Sequence, residues 1–521
     1  MQSSLNQIID RKIFLTIICL SFFTFLLTSD GHRYTFDEDV AQQQSLWIAT
    51  LTPHPDFIPG ESRMMFQYPD YFPNNWRAIC QIDILCSQIP IGYALTQVPF
   101  ILINETFDFI TPNTLILTEG DFPDPHYVYW RNSLPPTFTF LELFYGPVFA
   151  ALSVGVFYLI SRTYLFSPKI STILSILFAF TTMLWSYSQT SLNMIPTTFF
   201  ILFGFFLFRK FATSSQSRYL LMSGAVLGFA FLIRNDTILF IVPLFFYFIF
   251  ISIKNINKIK SLKIIKDIAL FALPLTTSYI ILKLLQLLVY GRSVDKSFSL
   301  PFHEPSFNPL LHLFGLFFSP GVGLLIFCPI LFTVFLSYFD FFKKNKFECI
   351  FFLSFITLFA TFYSNSEAWH GLNGWGPRYM MPIVAFLLLP LGFSIQKRLN
   401  KKFIFILFGL GTLGFIFNIS NLITDVSWFI WGIMGSGRGL YELGHIASNL
   451  WVNPLVLWTF EYSQLTHALR YMFINPFPDI YLLKVWGVYF YSIFTILISS
   501  VLVFYLFYLN KKFLNLVNKL R

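Results

Sequence analysis

Asp37, Glu38 and Asp39 stand in a row in the stretch RYTFDEDVAQQQ, Arg33 to Gln44, just past the apolar run Ile13 to Leu27. A carboxylate at membrane depth costs about 2.5–3.5 kcal/mol on insertion scales, so acids at the rim of a span need water or a task. On a helix, successive side chains point about 100° apart, so the three cannot share one face, and Asp37 and Asp39 diverge most. One or two of them can look into a common cleft. That arrangement suits one catalytic carboxylate with a helper: a general base taking a proton from a hydroxyl within hydrogen-bond reach. It suits a Ca²⁺ cage less, because such a cage takes ligands at alternate positions of a loop. The competing reading is a solvated acidic loop.

The candidate cation to face them is Arg378, in GWGPRYMMPIVAFLLLPLGF, Gly374 to Phe393. It follows Pro377 at the start of a predicted span, where a helix N-terminus would add N–H groups to the guanidinium fork against an anion. Gly371, Gly374 and Gly376 would let backbone approach a ligand closely. Snorkelling to lipid headgroups is the alternative. Glu367, Trp369, His370 and Trp375 crowd the same turn. A carboxylate among aromatics suits sugar or acceptor binding, and an interfacial aromatic belt would look similar. Arg234 is a second anion candidate, unless Asp236 simply neutralises it. Lys283 either lines a cavity or snorkels. His32, His54 and His126 share the first loop with many acids but have no metal-ligand spacing, so no metal is expected.

The elements that must position these residues are membrane spans. The 521 residues are only 12% charged, have a mean hydropathy of +0.64 and include 69 phenylalanines. That is too little charge to cover a soluble surface of this size. Spans are expected near 12–29, 137–160, 170–187, 191–208, 218–233, 237–253, 267–290, 311–338, 349–364, 377–394, 403–424 and 486–509. LLTSDG after the first is no cleavage site, so it reads as a retained span. The net charge of +9 could suggest nucleic acid, but 23 of the 35 basic residues fall on the alternate loops and ends assigned to the cytoplasm. Only Asp10, Asp267, Asp340 and Glu348 offset them there, while the rest of the chain holds 12 basic residues against 22 acids. That split follows the positive-inside rule and accounts for the basic balance without nucleic acid.

The chain then divides into a transmembrane core with its large first outer loop (1–424, the loop being 30–136), an outer segment (425–485), and a last span with a basic tail (486–521). Cys80 and Cys86 share the first loop and could form a disulfide or stay as thiols. Asn104-Glu105-Thr106 is an outer sequon. The inner loops are short, and no GxxxxGK[ST] or GxGxxG motif cradles a phosphate, which argues against nucleotide chemistry there.

A span followed by an acidic pair at the start of a large outer loop resembles the GT-C membrane glycosyltransferases, above all the protein O-mannosyltransferase and aminoarabinose-transferase branch. CSQIPIGYALTQVPFIL (Cys86 to Leu102), LIRND (Leu232 to Asp236) and the Gly374–Phe393 stretch are similar to patches of that family, in the same order. The resemblance implies an acidic pair on a short helix after the first span, its first member being the base. Asp37-Glu38 takes that place, with Glu38-Asp39 as the other register. The ekPPL pattern of the aminoarabinose branch and the WWDYG-like signature of oligosaccharyltransferases are absent, so no acceptor is carried over.

The fold expected is an all-α polytopic membrane protein with about 12 transmembrane helices. The activity the resemblance implies is a sugar transfer on the extracytoplasmic face of a cell membrane. The donor would be a polyprenyl or dolichyl phosphate sugar and the acceptor a protein, lipid or glycan. No cofactor is expected beyond the lipid-phosphate sugar itself as substrate. Asp37 would be the base, with Glu38 beside it and Asp39 orienting the acceptor. Arg378 and Arg234 would take the donor phosphate. The competing classes are a polytopic transporter or flippase, for which matching halves would be expected but are not visible, and a non-catalytic protein of envelope-polysaccharide assembly.

Overall fold

In a computed structural model of the chain, the residues described are 2–31, 36–51, 89–106, 139–254, 261–290, 308–366, 369–371, 374–398, 400–424, 454–474, 478–483 and 486–501. Cys80, Cys86, Glu367 and the three loop histidines lie outside them, as does most of the first outer loop and of 425–485. Among the described residues every regular element is helical.

Helix α1 (Gln2–Leu27) is followed by α2 (Phe36–Thr50) and α3 (Ile91–Thr106). Then come α4 (Thr139–Thr163), α5 (Pro168–Phe180), α6 (Met194–Ser214), α7 (Arg218–Ile233), α8 (Ile238–Lys254) and α9 (Ser261–Tyr290). Seven stretches among the described residues are long and apolar enough to cross a membrane: 140–163, 194–214, 235–253, 262–289, 346–364, 378–398 and 401–423. Of the other expected spans, α5 and α7 are apolar helices of 13 and 16 residues, and the helix from Trp486 is described only as far as Val501.

The expected span 311–338 is not one helix. It runs as α10 (Pro309–Phe318), a turn, a four-residue helix (Leu324–Phe327), a 3-10 turn (Pro329–Thr333) and α11 (Val334–Lys344). Two prolines, Pro320 and Pro329, remove backbone donors that a continuous helix needs. Gly321 lies so close to the segment 454–458 that an added Cβ would stand 2.2 Å from the Val456 carbonyl oxygen, and its N–H donates to the Leu457 carbonyl at 3.0 Å. Irregular backbone at this depth is tolerated where protein satisfies it. Beyond it lie α12 (Lys346–Ser364), α13 (Met381–Leu388), α14 (Leu391–Arg398), α15 (Lys401–Ile423) and α16 (Gln464–Ile474).

Lipid is as apolar as leucine, so the helices associate by close packing and ring contacts rather than by a hydrophobic drive between them. Phe205, Phe240, Phe355 and Phe386 bring α6, α8, α12 and α13 together, with centroids 5.0–6.3 Å apart and mostly edge to face. Such pairs are worth about 0.5–1.5 kcal/mol beyond area burial. On α7, Gly224 and Gly228 are four apart and let α9 approach. A Cβ on Gly224 would sit 2.3 Å from the Phe271 carbonyl oxygen.

The four acids of the basic end each find a polar partner. Asp10 takes Arg162 at 2.8 Å, Glu348 takes Arg209 at 2.9 Å, Asp340 takes Lys397 at 2.9 Å, and Asp267 accepts from the Ser217 hydroxyl at 2.6 Å. They tie α1 to α4, α12 to α6, α11 to α14 and α9 to the start of α7. The few carboxylates among so many lysines and arginines therefore pin helix ends.

Candidate active site

Helix α2 is seated by a polar stripe. Glu38, Gln42 and Ser45 are spaced at i, i+4 and i+7, one face of a helix, and all three are buried. Glu38 is fully buried, and one of its carboxylate oxygens accepts from the Ser191 N–H at 2.8 Å and from its hydroxyl at 3.3 Å. Gln42 donates to Glu142 on α4 and to the Ser191 hydroxyl at 3.0 Å. Ser45 donates to the Ala94 carbonyl on α3 at 3.0 Å, while the Tyr93 hydroxyl and the Gln97 amide both donate to the Ser191 carbonyl, at 2.7 and 3.2 Å. The turn before α6 is thus a hub that fixes α2 and α3 on the bundle. A buried polar group needs such partners, and these residues supply one another.

Asp37 is one residue off that stripe and is left at the edge, with its side chain 45% exposed. Its Oδ2 accepts from Arg378 Nη2 at 3.3 Å across 341 residues of sequence. The two candidate residues meet as an ion pair. Helix α2 carries Asp39 as well, but its side chain lies outside the described residues.

Arg378 is 5% exposed. Nη2 also reaches the Tyr379 hydroxyl at 3.4 Å, and the guanidinium lies 5.1 Å from the Tyr379 ring centroid. Nε is buried without a hydrogen-bond partner among the described residues, as is Trp375 Nε1. The local backbone explains how so large a cation is enclosed. Gly371 has φ +90°, in the left-handed region, and a Cβ there would stand 2.9 Å from Arg378 Cγ. At Gly374 a Cβ would lie 3.1 Å from both Cβ and Cδ of Arg378. Gly371 and Gly374 therefore make room for the arginine stem, and Gly376 for the Phe327 ring. The expected helix N-terminus at Arg378 also differs. Arg378–Met380 is a 3-10 turn in which the Arg378 N–H already donates to the Gly376 carbonyl at 3.0 Å.

The aromatic residues of this turn do not form an open platform. Trp369 and Trp375 are each 3% exposed. Trp369 stacks on His312 at 5.2 Å, and Trp375 meets Phe327 edge to face at 4.8 Å. Tyr187 fastens the turn further by donating to the Trp375 carbonyl at 3.0 Å. His370 is 2% exposed, and its imidazole is pushed down to about 3, first by burial and then by His312 and Arg378 nearby. Trp369, His370 and Trp375, expected to bind sugar or acceptor, are thus buried against protein side chains.

Arg234 is held by Asp236, which takes two of its nitrogens, with Nε to Oδ1 at 3.0 Å. The Tyr363 hydroxyl joins both residues. Arg234 is therefore neutralised in place, the alternative already visible in LIRND. Sequence reasoning missed Tyr363 and Tyr379, which stack at 4.5 Å between the two arginines. The adjacency of Tyr379 to Arg378 was the signal available. It also missed Ser191, though the polar run SYSQTSLN inside an apolar region marked that turn. Among the described residues no group of three or more His, Cys, Asp or Glu is placed to hold a metal ion.

Residues 143–281, α4 to most of α9, match the family model of dolichyl-phosphate-mannose-protein mannosyltransferase. Arg234 lies within the match; Asp37 and Arg378 lie outside it. No curated protein matches the chain. With the all-helical, multi-span architecture, the match supports a membrane glycosyltransferase of the GT-C superfamily, of the protein mannosyltransferase and aminoarabinose-transferase type.

Proposed function

We propose that this membrane glycosyltransferase of the GT-C type moves a sugar from a polyprenyl or dolichyl phosphate to a hydroxyl of a protein, lipid or glycan acceptor on the extracytoplasmic face, with Asp37 as base and Arg378 as the cation at the donor phosphate. The observation that carries the reading is the 3.3 Å approach of Asp37 Oδ2 to Arg378 Nη2. One group that accepts a proton and one that stabilises an anion meet at a single point, on two segments remote in sequence.

The chemistry asks for both. The acceptor oxygen attacks the anomeric carbon, the bond from that carbon to the phosphate oxygen breaks with its electron pair, and the hydroxyl proton passes to the Asp37 carboxylate. The departing lipid phosphate gains negative charge, which the buried Arg378 would stabilise. Its unpartnered Nε and the nearby Trp375 Nε1 are two further donors that a phosphate could satisfy. Arg378 and Asp37 pair with one another. Engagement of Arg378 by phosphate frees Asp37 for the hydroxyl.

The test is transfer of mannose from a polyprenyl-phosphate-mannose probe, followed by mass spectrometry of glycans and glycolipids in cells lacking the gene and complemented with variants. Asp37→Asn is expected to lower transfer by about 10²–10⁴-fold at normal protein levels, the usual worth of a general base. Arg378→Gln is expected to lower it by about 10²–10³-fold, as loss of a charge-stabilising donor does. Near-normal transfer by Asp37→Asn would sink the assignment.

A further inference from the structure

At the end of α1 where the basic loops gather, remote from Asp37, an open cleft of about 410 Å³ lies between α1, α4 and α6. Each of the three helices lends it one cation: Arg11, Arg162 and Lys210. Each also lends an apolar side chain one turn further into the bundle: Phe14 three residues after Arg11, Leu159 three before Arg162, and Phe206 four before Lys210. Residues three or four apart stack along one helix face. The result is a ring of positive charge at the mouth above a ring of hydrocarbon.

The cations are not equivalent. Arg162 is fixed by Asp10, which accepts from Nε at 3.2 Å and from Nη2 at 2.8 Å, and by the Phe166 carbonyl. Lys210 lies 5.5 Å from the centroid of the Phe206 ring, and Arg11 is exposed. With Asp10 subtracted, the cleft keeps two positive charges, and among the described residues no carboxylate pairs with either side chain. Leu165, at φ +61° and 87% exposed, adds an apolar side chain at the rim.

We infer that this cleft binds the phosphate headgroup of an anionic membrane phospholipid, with the acyl chain lying against Phe14, Leu159 and Phe206. A free phosphate would use the cations alone. The apolar ring one turn deeper on all three helices, in a cleft of ligand-pocket size, fits an amphiphile. The inference does not depend on the transferase reading.

Native mass spectrometry of the full chain in detergent tests it, with phosphatidylglycerol and phosphatidylcholine of identical acyl chains as probes. The wild type retains phosphatidylglycerol preferentially. Arg11→Gln with Lys210→Gln lowers that retention by about thirty-fold, roughly five-fold per basic side chain near an anionic headgroup. Both side chains are exposed, and an unchanged melting temperature shows the variant folded. Lys401→Gln with Lys402→Gln removes the same charge elsewhere at that end and leaves retention unchanged. An equal loss in that control assigns the effect to diffuse surface charge and overturns the site, as does undiminished retention in the cleft variant. Inorganic phosphate, titrated alone, binds weakly; binding as tight as that of phosphatidylglycerol overturns the lipid assignment.

Discussion

Replacing Glu38 with Gln and with Ala separates two jobs that adjacent carboxylates could share. The structure gives Glu38 a fully buried carboxylate whose Oε1 accepts from Ser191 N–H at 2.8 Å and Ser191 Oγ at 3.3 Å, while Asp37 next to it meets Arg378. A glutamine keeps an acceptor oxygen in place and loses the charge. If Glu38 is an anchor for α2, Glu38→Gln costs only part of a charge-assisted hydrogen bond, about 1 kcal/mol, and transfer stays within a few-fold of wild type. Alanine removes the acceptor and leaves a buried N–H and hydroxyl without it. A charge-assisted bond is worth about 1.5–3 kcal/mol, so the short contact and part of the longer one sum to about 3 kcal/mol. Loosening of α2 also takes Asp37 out of register with Arg378, and a displacement of about 1 Å costs on the order of 10²-fold in rate. The assay is initial transfer rate beside thermal unfolding in detergent, on Glu38→Gln, Glu38→Ala and Asp37→Asn. Anchor and base then separate: Asp37→Asn loses rate with little stability, because the Asp37 carboxylate is half exposed and screened and the amide oxygen still accepts from Arg378, while Glu38→Ala loses both. A Glu38→Gln enzyme as inactive as Asp37→Asn, with an unchanged melting temperature, would refute the reasoning and move the base to position 38.

Arg234→Gln is expected to lower the melting temperature by several degrees, because it leaves Asp236 and Tyr363 buried without their cation; a rise in donor KM at constant stability would restore the phosphate role expected of it. Gly224→Leu forces a side chain where even a Cβ stands 2.3 Å from the Phe271 carbonyl oxygen. It should destabilise the α7–α9 pair by at least about 1–3 kcal/mol, read by unfolding in detergent, while Gly409→Leu, with nothing within 4 Å of its Cβ, serves as the neutral control. The imidazole of His370, pushed down to about 3 by burial, remains neutral in the folded chain while the unfolded chain takes up a proton below its ordinary value near 6.5. Stability from this residue is therefore level above that value and is lost as pH falls towards 3, at up to roughly 1.4 kcal/mol per pH unit. His370→Asn should flatten the acid side of a melting-temperature profile between those limits, and an unchanged slope would show that the acid lability arises elsewhere.

How much of this was legible in the sequence follows from the range of each interaction. The apolar helices were readable because hydropathy is local: 218–233 falls on α7 without a shift, the expected spans over α4, α8 and α15 differ from the helices by at most three residues, and α6 runs six residues past the expected end. The stretch 311–338 was as apolar as the rest, and hydropathy alone gives it one helix. Its break depends on what satisfies the backbone around Pro320 and Pro329, namely the Leu457 carbonyl more than a hundred residues away. The proline and glycines of SPGVG signal a break; no local pattern supplies its partner.

The acidic triplet shows the same limit at the site. That three neighbouring carboxylates must diverge is helix geometry, and the structure sends Asp37 to the edge and Glu38 inward as that geometry requires. Which one turns inward is decided by the stripe Glu38, Gln42 and Ser45, present in the sequence but unreadable as a binding face until Ser191 is known to lie opposite it. The glycines of GLNGWGPR are sites of close approach, and the groups approaching are the stem of Arg378 at Gly371 and Gly374 and the Phe327 ring at Gly376. A glycine in sequence tells that something must come near and not what. The same argument holds for Trp369 and Trp375. Indoles beside an arginine suit a sugar or a packed wall equally well in composition, and only the positions of His312 and Phe327, fixed by the broken segment 309–333, turn them into the wall. The surroundings of Arg378 are therefore built in large part by a segment whose course hydropathy did not reveal, which is why its charges could be named in advance and its neighbours could not.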